Sequence, residues 1–547
     1  MVGKWTMAAL AAMLLCACAS AAQAGSWRIL KDHWSAEDEA GFGRFVTALG
    51  ESNCSSSESC LRDTANPFRK TDQRFLDIDV DCAKWPYLLR AYYAWKNNLP
   101  FSYVDGVSGE GGDLRFTKSA NHPTGRHDIV DHGGGIEATP AIMQMLDSVF
   151  SGTYRTDASE TRGVQSDFYS PALQPGTVKA GSLVYDVNGH VAIVYKVDDD
   201  GRIFYMDAHP DFTITRSVYG AQFGQSPARL GGGLKNWRPF KLVGAHRDSA
   251  GHLLGGHMAF AQNDQIADFS LVQYNGTESN PKQDVKKARF LYNGAPLGFY
   301  EYVRVAVSGG KTSLTPLYEL QATMKTLCND LNDRAQYVDL DVKDGISVKD
   351  HPRRLPDNIY GSDDKEWESY STPSRDARIK TAFAQFYKDL AEMIGLWVHR
   401  DPRIVYDGNF LQKDLRETYE TQSKACTITY LNTAKQPVAM TFDDMMRRLF
   451  KLSFDPYHCV ELRWGAESAE RASCPDAKVK LKWYEAEQRL RNQPDRTYDL
   501  QMGFDIDELN HRVKGSGIDA PPPIDIKALI DAMPDQVAFT PMKPGDR

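Results

Sequence analysis

A chain of 547 residues with 42% apolar and 25% charged side chains has ordinary globular composition, and its length calls for two or three domains rather than a single core. The formal net charge of −8 provides no basic footprint, which argues against a nucleic-acid partner and leaves peptide and carbohydrate substrates open.

At the N-terminus Lys4, the apolar run 7–15 and Ala22-Gln23-Ala24 read as an export signal over 1–24, cleaved before Gly25. That run is too short to span a bilayer, and no later run reaches the roughly 18 apolar residues of a transmembrane helix. Leu15-Cys16-Ala17-Cys18 resembles a bacterial lipoprotein box, although Cys16 inside it is unusual. The expected product is periplasmic or outer-membrane-associated, with a lipid anchor at Cys18 as one option and secretion as the alternative.

Ser35 caps a helix whose first turn is acidic and whose apolar residues Phe42, Phe45, Val46 and Leu49 keep helical spacing. A polar loop over 50–72 holds Cys54 and Cys60. Residues 75–80 alternate as a strand, and Asp81-Cys82 opens a helix striped by Leu88, Leu89, Tyr92 and Trp95. The stretch 101–135, rich in glycine, charge and histidine, reads as a long functional loop or lid, and 137–150 as helix. Within 178–243 a buried strand begins at Gly189-His190 and returns through Asp198-Asp199-Asp200-Gly201 into a hairpin partner ending at Asp207. A β-rich or extended connection follows over 251–310. Residues 311–535 carry helical spacing at 313–338, 376–398, 441–452 and 478–492, with Thr441 and Asp444 as a capping box. The tail 536–547 reads as disordered.

Beyond Cys16 and Cys18, seven cysteines remain: Cys54, Cys60, Cys82, Cys328, Cys426, Cys459 and Cys474. In an oxidising compartment an odd count leaves at least one thiol unpaired. The close pairs Cys54 with Cys60 and Cys459 with Cys474 suit short loops, and Cys328 with Cys426 can tie the C-terminal region, although spacing alone leaves the connectivity open. Cys82 is then left over. At a helix start it lies among unpaired backbone N–H groups and at the positive dipole end, which favours thiolate.

Thiol-based acyl transfer needs a thiolate, an imidazole, a group that orients the imidazole, and N–H donors for the oxyanion. Cys82 is the candidate nucleophile, His190 the base and acid, and Asp207 the orienting group, with His209 as competing third member. The Cys82 backbone N–H and Gln73 are the oxyanion candidates. Each has a plainer reading: a buried cysteine is often inert packing, and a histidine can simply begin a strand.

Asp81-Cys82 at a helix start, Ala180-Gly181-Ser182-Leu183-Val184-Tyr185 leading to Gly189-His190-Val191-Ala192-Ile193-Val194-Tyr195, and Asp207-Ala208 together resemble the papain-like superfamily, nearest to bacterial NlpC-type cell-wall peptidases and CHAP amidases. The resemblance covers at most 25–245. It implies an α+β domain over 25–250, with the cysteine-bearing helix packed on an antiparallel sheet that carries the histidine and aspartate. It also implies hydrolysis of peptide or amide bonds in peptidoglycan without metal or other cofactor. Ala83-Lys84 stands where the family has serine-glycine, Ser182 where it has aspartate, and the hairpin turn is longer; these departures bear on the substrate more than on the nucleophile. A thiol acyltransferase of transglutaminase type and a non-catalytic envelope scaffold are the alternatives. His127, Asp128, Asp131 and His132 could ligate a metal but read as a solvated loop. Trp367, Tyr370, Trp397 and Trp483 read as core of the helical domain before they read as a glycan-binding face.

Overall fold

The computed structural model describes residues 25–534 apart from 73–77, 281, 358–364, 371, 468, 477 and 495–501. The export signal, Cys18, Gln73 and the tail expected to be disordered lie outside the described residues. The chain forms two compact units. The first takes the described residues to Asp198 with Arg202–Arg216 and Gln225–Val307, and the second takes Asp199–Gly201, Ser217–Gly224 and the described residues from Ser308 onward.

The first unit opens on α1 (Ala36–Glu51), where Ser35 Oγ accepts from the Asp38 N–H at 3.2 Å and Asp38 accepts from the Ser35 N–H at 2.9 Å. That capping box satisfies two helix-end donors, and the acidic first turn suits the dipole. Helix α2 (Ser57–Arg62) carries Cys60, disulfide-bonded to Cys54. Of the expected strand 75–80, residues 75–77 lie outside the described residues and 78–80 form no strand: Ile78 and Val80 are buried, but the Ile78 carbonyl accepts from Ser57 Oγ at 2.6 Å rather than joining a ladder. Helix α3 (Lys84–Lys96) follows, buried along nearly its whole length.

The stretch expected as a loop or lid is mostly a hairpin, β1 (Phe101–Ser108) against β2 (His122–Ile129). Phe101, Tyr103 and Val104 are buried and anchor it, so the irregular part shrinks to 109–121 and 130–135. Helix α4 (Ala138–Ser148) packs on both α3 and β1.

A six-stranded sheet completes the unit. It comprises β3 (Phe168–Tyr169), β4 (Leu183–Asp186), β5 (His190–Val197), β6 (Ile203–Ala208), β7 (Ile214–Val218) and β8 (Gly233–Trp237), in the order β3-β8-β4-β5-β6-β7. From β3 to β6 every neighbouring pair is antiparallel. Helix α1 packs on β5. Helix α3 meets the β3–β8 side of the sheet, where Tyr87 packs edge-on against Phe168 and Trp237 at 5.7 and 5.2 Å between ring centres.

One irregularity governs the β5–β6 pair. Val197 faces Ile203 and Lys196 faces Phe204, but Val194 faces Tyr205 and Ile193 faces Met206, so Tyr195 is an extra residue in β5. A one-residue shift exchanges the two faces of a strand. Without the bulge Asp207 would fall opposite Ile193, on the face away from His190. With it, Asp207 falls opposite Ala192 and shares the face of His190.

The expected connection 251–310 consists of short antiparallel pieces, among them Phe290–Tyr292 with Ala295–Leu297, followed by helix α5 (Phe299–Val307), and it clusters with the first unit as far as Val307. The second unit is mainly helical, with α6 (Pro316–Lys343), α7 (Thr372–Val398) and α8 (Leu411–Ala425) around a core that includes Leu331, Phe383, Leu415 and Trp464. The Thr441–Asp444 capping box is present. A hairpin, β9 (Thr427–Leu431) with β10 (Pro437–Thr441), interrupts the helices because Ile428 and Tyr430 alternate with exposed neighbours at the strand period. Trp367 and Trp483 are core residues, and Trp397 packs against Tyr406.

Candidate active site

Cys82 occupies the turn that enters α3, two residues before the first helical position. The Asp81 carboxylate accepts from the Ala83 and Lys84 N–H groups, both at 3.0 Å, and so uses donors the helix leaves open. Burial raises the Asp81 carboxyl above its ordinary value, with Lys84 and the two N–H bonds opposing. Cys82 is the only cysteine among the described residues outside a disulfide; the disulfides are Cys54–Cys60, Cys328–Cys426 and Cys459–Cys474.

The thiol reaches the head of β5, where Cys82 Sγ lies 3.7 Å from the Gly189 carbonyl oxygen. Gly189 has φ +92°, and a β-carbon there would meet the Phe116 ring at 3.3 Å, so the position calls for glycine twice over. The next residue, His190, is buried and places Nε2 at 2.6 Å from Asp207 Oδ2.

Asp207 is the hub of the polar group. Thr215 on β7 donates to Asp207 Oδ1 at 2.6 Å, and His209 Nε2 lies 2.9 Å from Thr215 Oγ1 and 3.6 Å from Asp207 Oδ2. Since the single Thr215 hydroxyl proton goes to Asp207, His209 Nε2 donates to Thr215. Burial opposes ionisation of Asp207, but His209 and the hydrogen bond from His190 outweigh it and hold the carboxyl well below its usual range. An ionised Asp207 only accepts, so His190 donates from Nε2 and keeps Nδ1 as its basic nitrogen. The His190 and His209 rings stack with centres 5.3 Å apart.

Comparison with family models, curated proteins and solved structures finds no match. The chemistry of the site is therefore read from its geometry. Cys82, His190, Asp207 and His209 are at most 8% exposed, so the thiol faces a nearly closed space. Tyr154 borders it and donates to the Ala83 carbonyl at 2.7 Å; burial, and then Cys82, Asp167 and Asp81, keep this phenol protonated.

The structure brings together Asp207 and both histidines, and sets Cys82 against the residue preceding His190. Thr215 was missed by sequence reading, because nothing in its own segment marks a partner eight residues earlier. His127, Asp128, Asp131 and His132 do not gather into a ligand set: His127 packs on Tyr103, Asp128 accepts from the Met258 N–H, and Asp131 holds Arg28 with two glycine N–H groups. Ligand atoms of His190, Asp207 and His209 lie within 4.8 Å of one another, as do those of His351, Asp455 and Glu487 in the second unit, spacings a divalent cation can use. A cation taking His190 Nε2 would displace its bond to Asp207.

Proposed function

We propose that this chain is an exported cysteine hydrolase that cleaves a peptide or amide bond of cell-wall peptidoglycan through an acyl-enzyme. The observation that carries the reading is one thiol outside the disulfides at a helix entrance, set against the head of a strand whose histidine is held by a buried carboxylate at 2.6 Å. The three disulfides and the N-terminal signal support export. The order of cysteine, histidine and aspartate along the chain agrees with the papain-like resemblance and supports the reading.

In this mechanism His190 Nδ1 takes the Cys82 proton, and the thiolate sulfur attacks the substrate carbonyl carbon to form a tetrahedral oxyanion. Collapse breaks the C–N bond, the amine departs with the proton from Nδ1, and a thioester remains on Cys82. Water then attacks the thioester and gives its proton to Nδ1. The carboxylate product leaves and the thiol is restored. Asp207 stabilises the imidazolium in both halves and fixes the tautomer. The Cys82 N–H is the oxyanion donor this reading uses.

The test is incubation of the protein and its Cys82→Ala variant with peptidoglycan, followed by mass analysis of released fragments. Release by the wild type alone, with new carboxyl and amine ends, is expected. Products carrying an added amine in place of a free carboxyl would instead identify an acyltransferase, and no release by either protein would return the chain to the scaffold reading.

A further inference from the structure

The second unit holds a buried amine that nothing in the hydrolase reading uses. Asp376 and Lys380 lie one turn apart on α7 and line the same pocket, which is partly open to solvent. Asp376 is already satisfied: its oxygens accept from Arg334 at 2.8 and 2.9 Å and from the Tyr337 hydroxyl at 3.1 Å. Lys380 is 3% exposed and makes no ion pair or hydrogen bond among the described residues. The remaining wall is largely apolar, with Phe454, Leu490 and Met502, and Gln493 adds one polar group.

A buried cation without a counter-ion is costly unless something supplies the charge. The charged groups facing Lys380 do not supply it. Arg334 neutralises Asp376, Arg491 adds a further cation, and Glu487, whose carboxyl burial holds well above its ordinary value, is paired with Arg491 at 3.5 Å. We propose that this pocket binds a small aliphatic monocarboxylate, its carboxylate on the Lys380 ammonium and its chain among Phe454, Leu490 and Met502. Burial pushes the empty-pocket amine down to about 7, Asp376 opposing and Arg491 reinforcing, so a bound anion draws a proton onto it above that pH.

Sodium hexanoate, titrated calorimetrically into the full-length protein with its disulfides intact at pH 6.5, is expected to bind. Hexanamide, of the same length without the charge, should bind at least ~10-fold more weakly. Lys380→Met, which keeps the stem and removes the charge, should weaken hexanoate by at least ~10-fold. At pH 8 the wild-type binding heat should vary with the buffer's ionisation enthalpy, reporting proton uptake, and Lys380→Met should abolish that variation. Met502→Trp fills the pocket while sparing the amine and should also remove binding, which keeps the test decisive if Lys380→Met fails to fold. Absence of hexanoate binding at millimolar concentration, equal affinity for hexanamide, or unchanged affinity in either folded variant would overturn the proposal. Reductive trapping of hexanal on Lys380 without hexanoate binding would overturn it in favour of carbonyl chemistry.

Discussion

The 2.6 Å contact between His190 Nε2 and Asp207 supports Asp207 as the group that orients the imidazole in the proposed reaction, whereas His209 bonds Thr215 and lies 3.6 Å from the same carboxylate. Asp207→Asn should lower the rate of fragment release roughly 10²- to 10⁴-fold, since an amide presents the wrong partner to the imidazolium. His209→Ala should cost less. Steady-state assays of both variants check the order, and the reverse order would transfer the orienting role to His209. Asp81 acts on the nucleophile itself. Burial raises its carboxyl, and once ionised at higher pH its negative charge disfavours the neighbouring thiolate. Asp81→Asn retains an oxygen for the Ala83 and Lys84 N–H groups and removes that charge. The pH midpoint for alkylation of Cys82 by iodoacetamide should then fall by about 0.5–1 unit, and a midpoint that stays or rises would refute the coupling.

Helix α1 and strand β5 meet at the bulge, and the contact explains how an irregular strand is held. The Thr47 hydroxyl donates to the Tyr195 carbonyl at 2.6 Å, so the bulged residue keeps a partner. Gly50 admits the Tyr195 side chain, since a β-carbon there would come within 2.1 Å of Tyr195 Cγ. Arg216 of β7 then donates to the Gly50, Cys54 and Leu49 carbonyls at the end of α1, which binds the same helix to the far edge of the sheet. Gly50→Ala should destabilise the protein by about 1–3 kcal/mol through overpacking, read from urea unfolding. Thr47→Val should cost about 1 kcal/mol but lower turnover by more than its stability loss accounts for, and Thr47→Ser should restore it. A Thr47→Val enzyme with full turnover would show that the bulge holds without this bond.

Across the whole molecule, the second unit buries far more charge than the first site needs, including the Arg334–Asp376 and Arg463–Asp341 pairs, all of them fully enclosed. Such pairs stabilise little by themselves but are costly to break. Lys380 stands apart from them because it makes no ion pair among the described residues, only a contact with the Phe454 ring at 5.9 Å, and its pKa of about 7 makes its contribution readable against pH. The folded state binds fewer protons than the unfolded state between about 7 and the ordinary lysine value of 10.5. Stability therefore rises with pH through that window, and the penalty is full below it. Lys380→Met should raise stability at pH 6 by as much as ~5 kcal/mol, with the gain shrinking toward pH 10. Urea midpoints at the two pH values check this, and a gain independent of pH would show that Lys380 is not a buried titrating amine.

Local spacing sufficed for α1, for α6 and α7 of the second unit though not for α8, for the β5–β6 hairpin and for Cys82 as the cysteine outside a disulfide. Side-chain periodicity, capping pairs and cysteine parity are written in neighbouring residues. The 101–135 stretch was misread because three buried residues at its start, Phe101, Tyr103 and Val104, outweigh the glycine and charge that follow. Sequence also named His190 and Asp207 as a pair, but an unbulged hairpin of the same residues would set them on opposite faces. Only the tertiary structure decided that face, through a hydrogen bond between Thr47 and Tyr195, residues 148 positions apart. Thr215 on the Asp207 carboxylate and the buried Lys380 in its pocket belong to the same class: each depends on which distant segments come into contact, and residue order does not encode that locally.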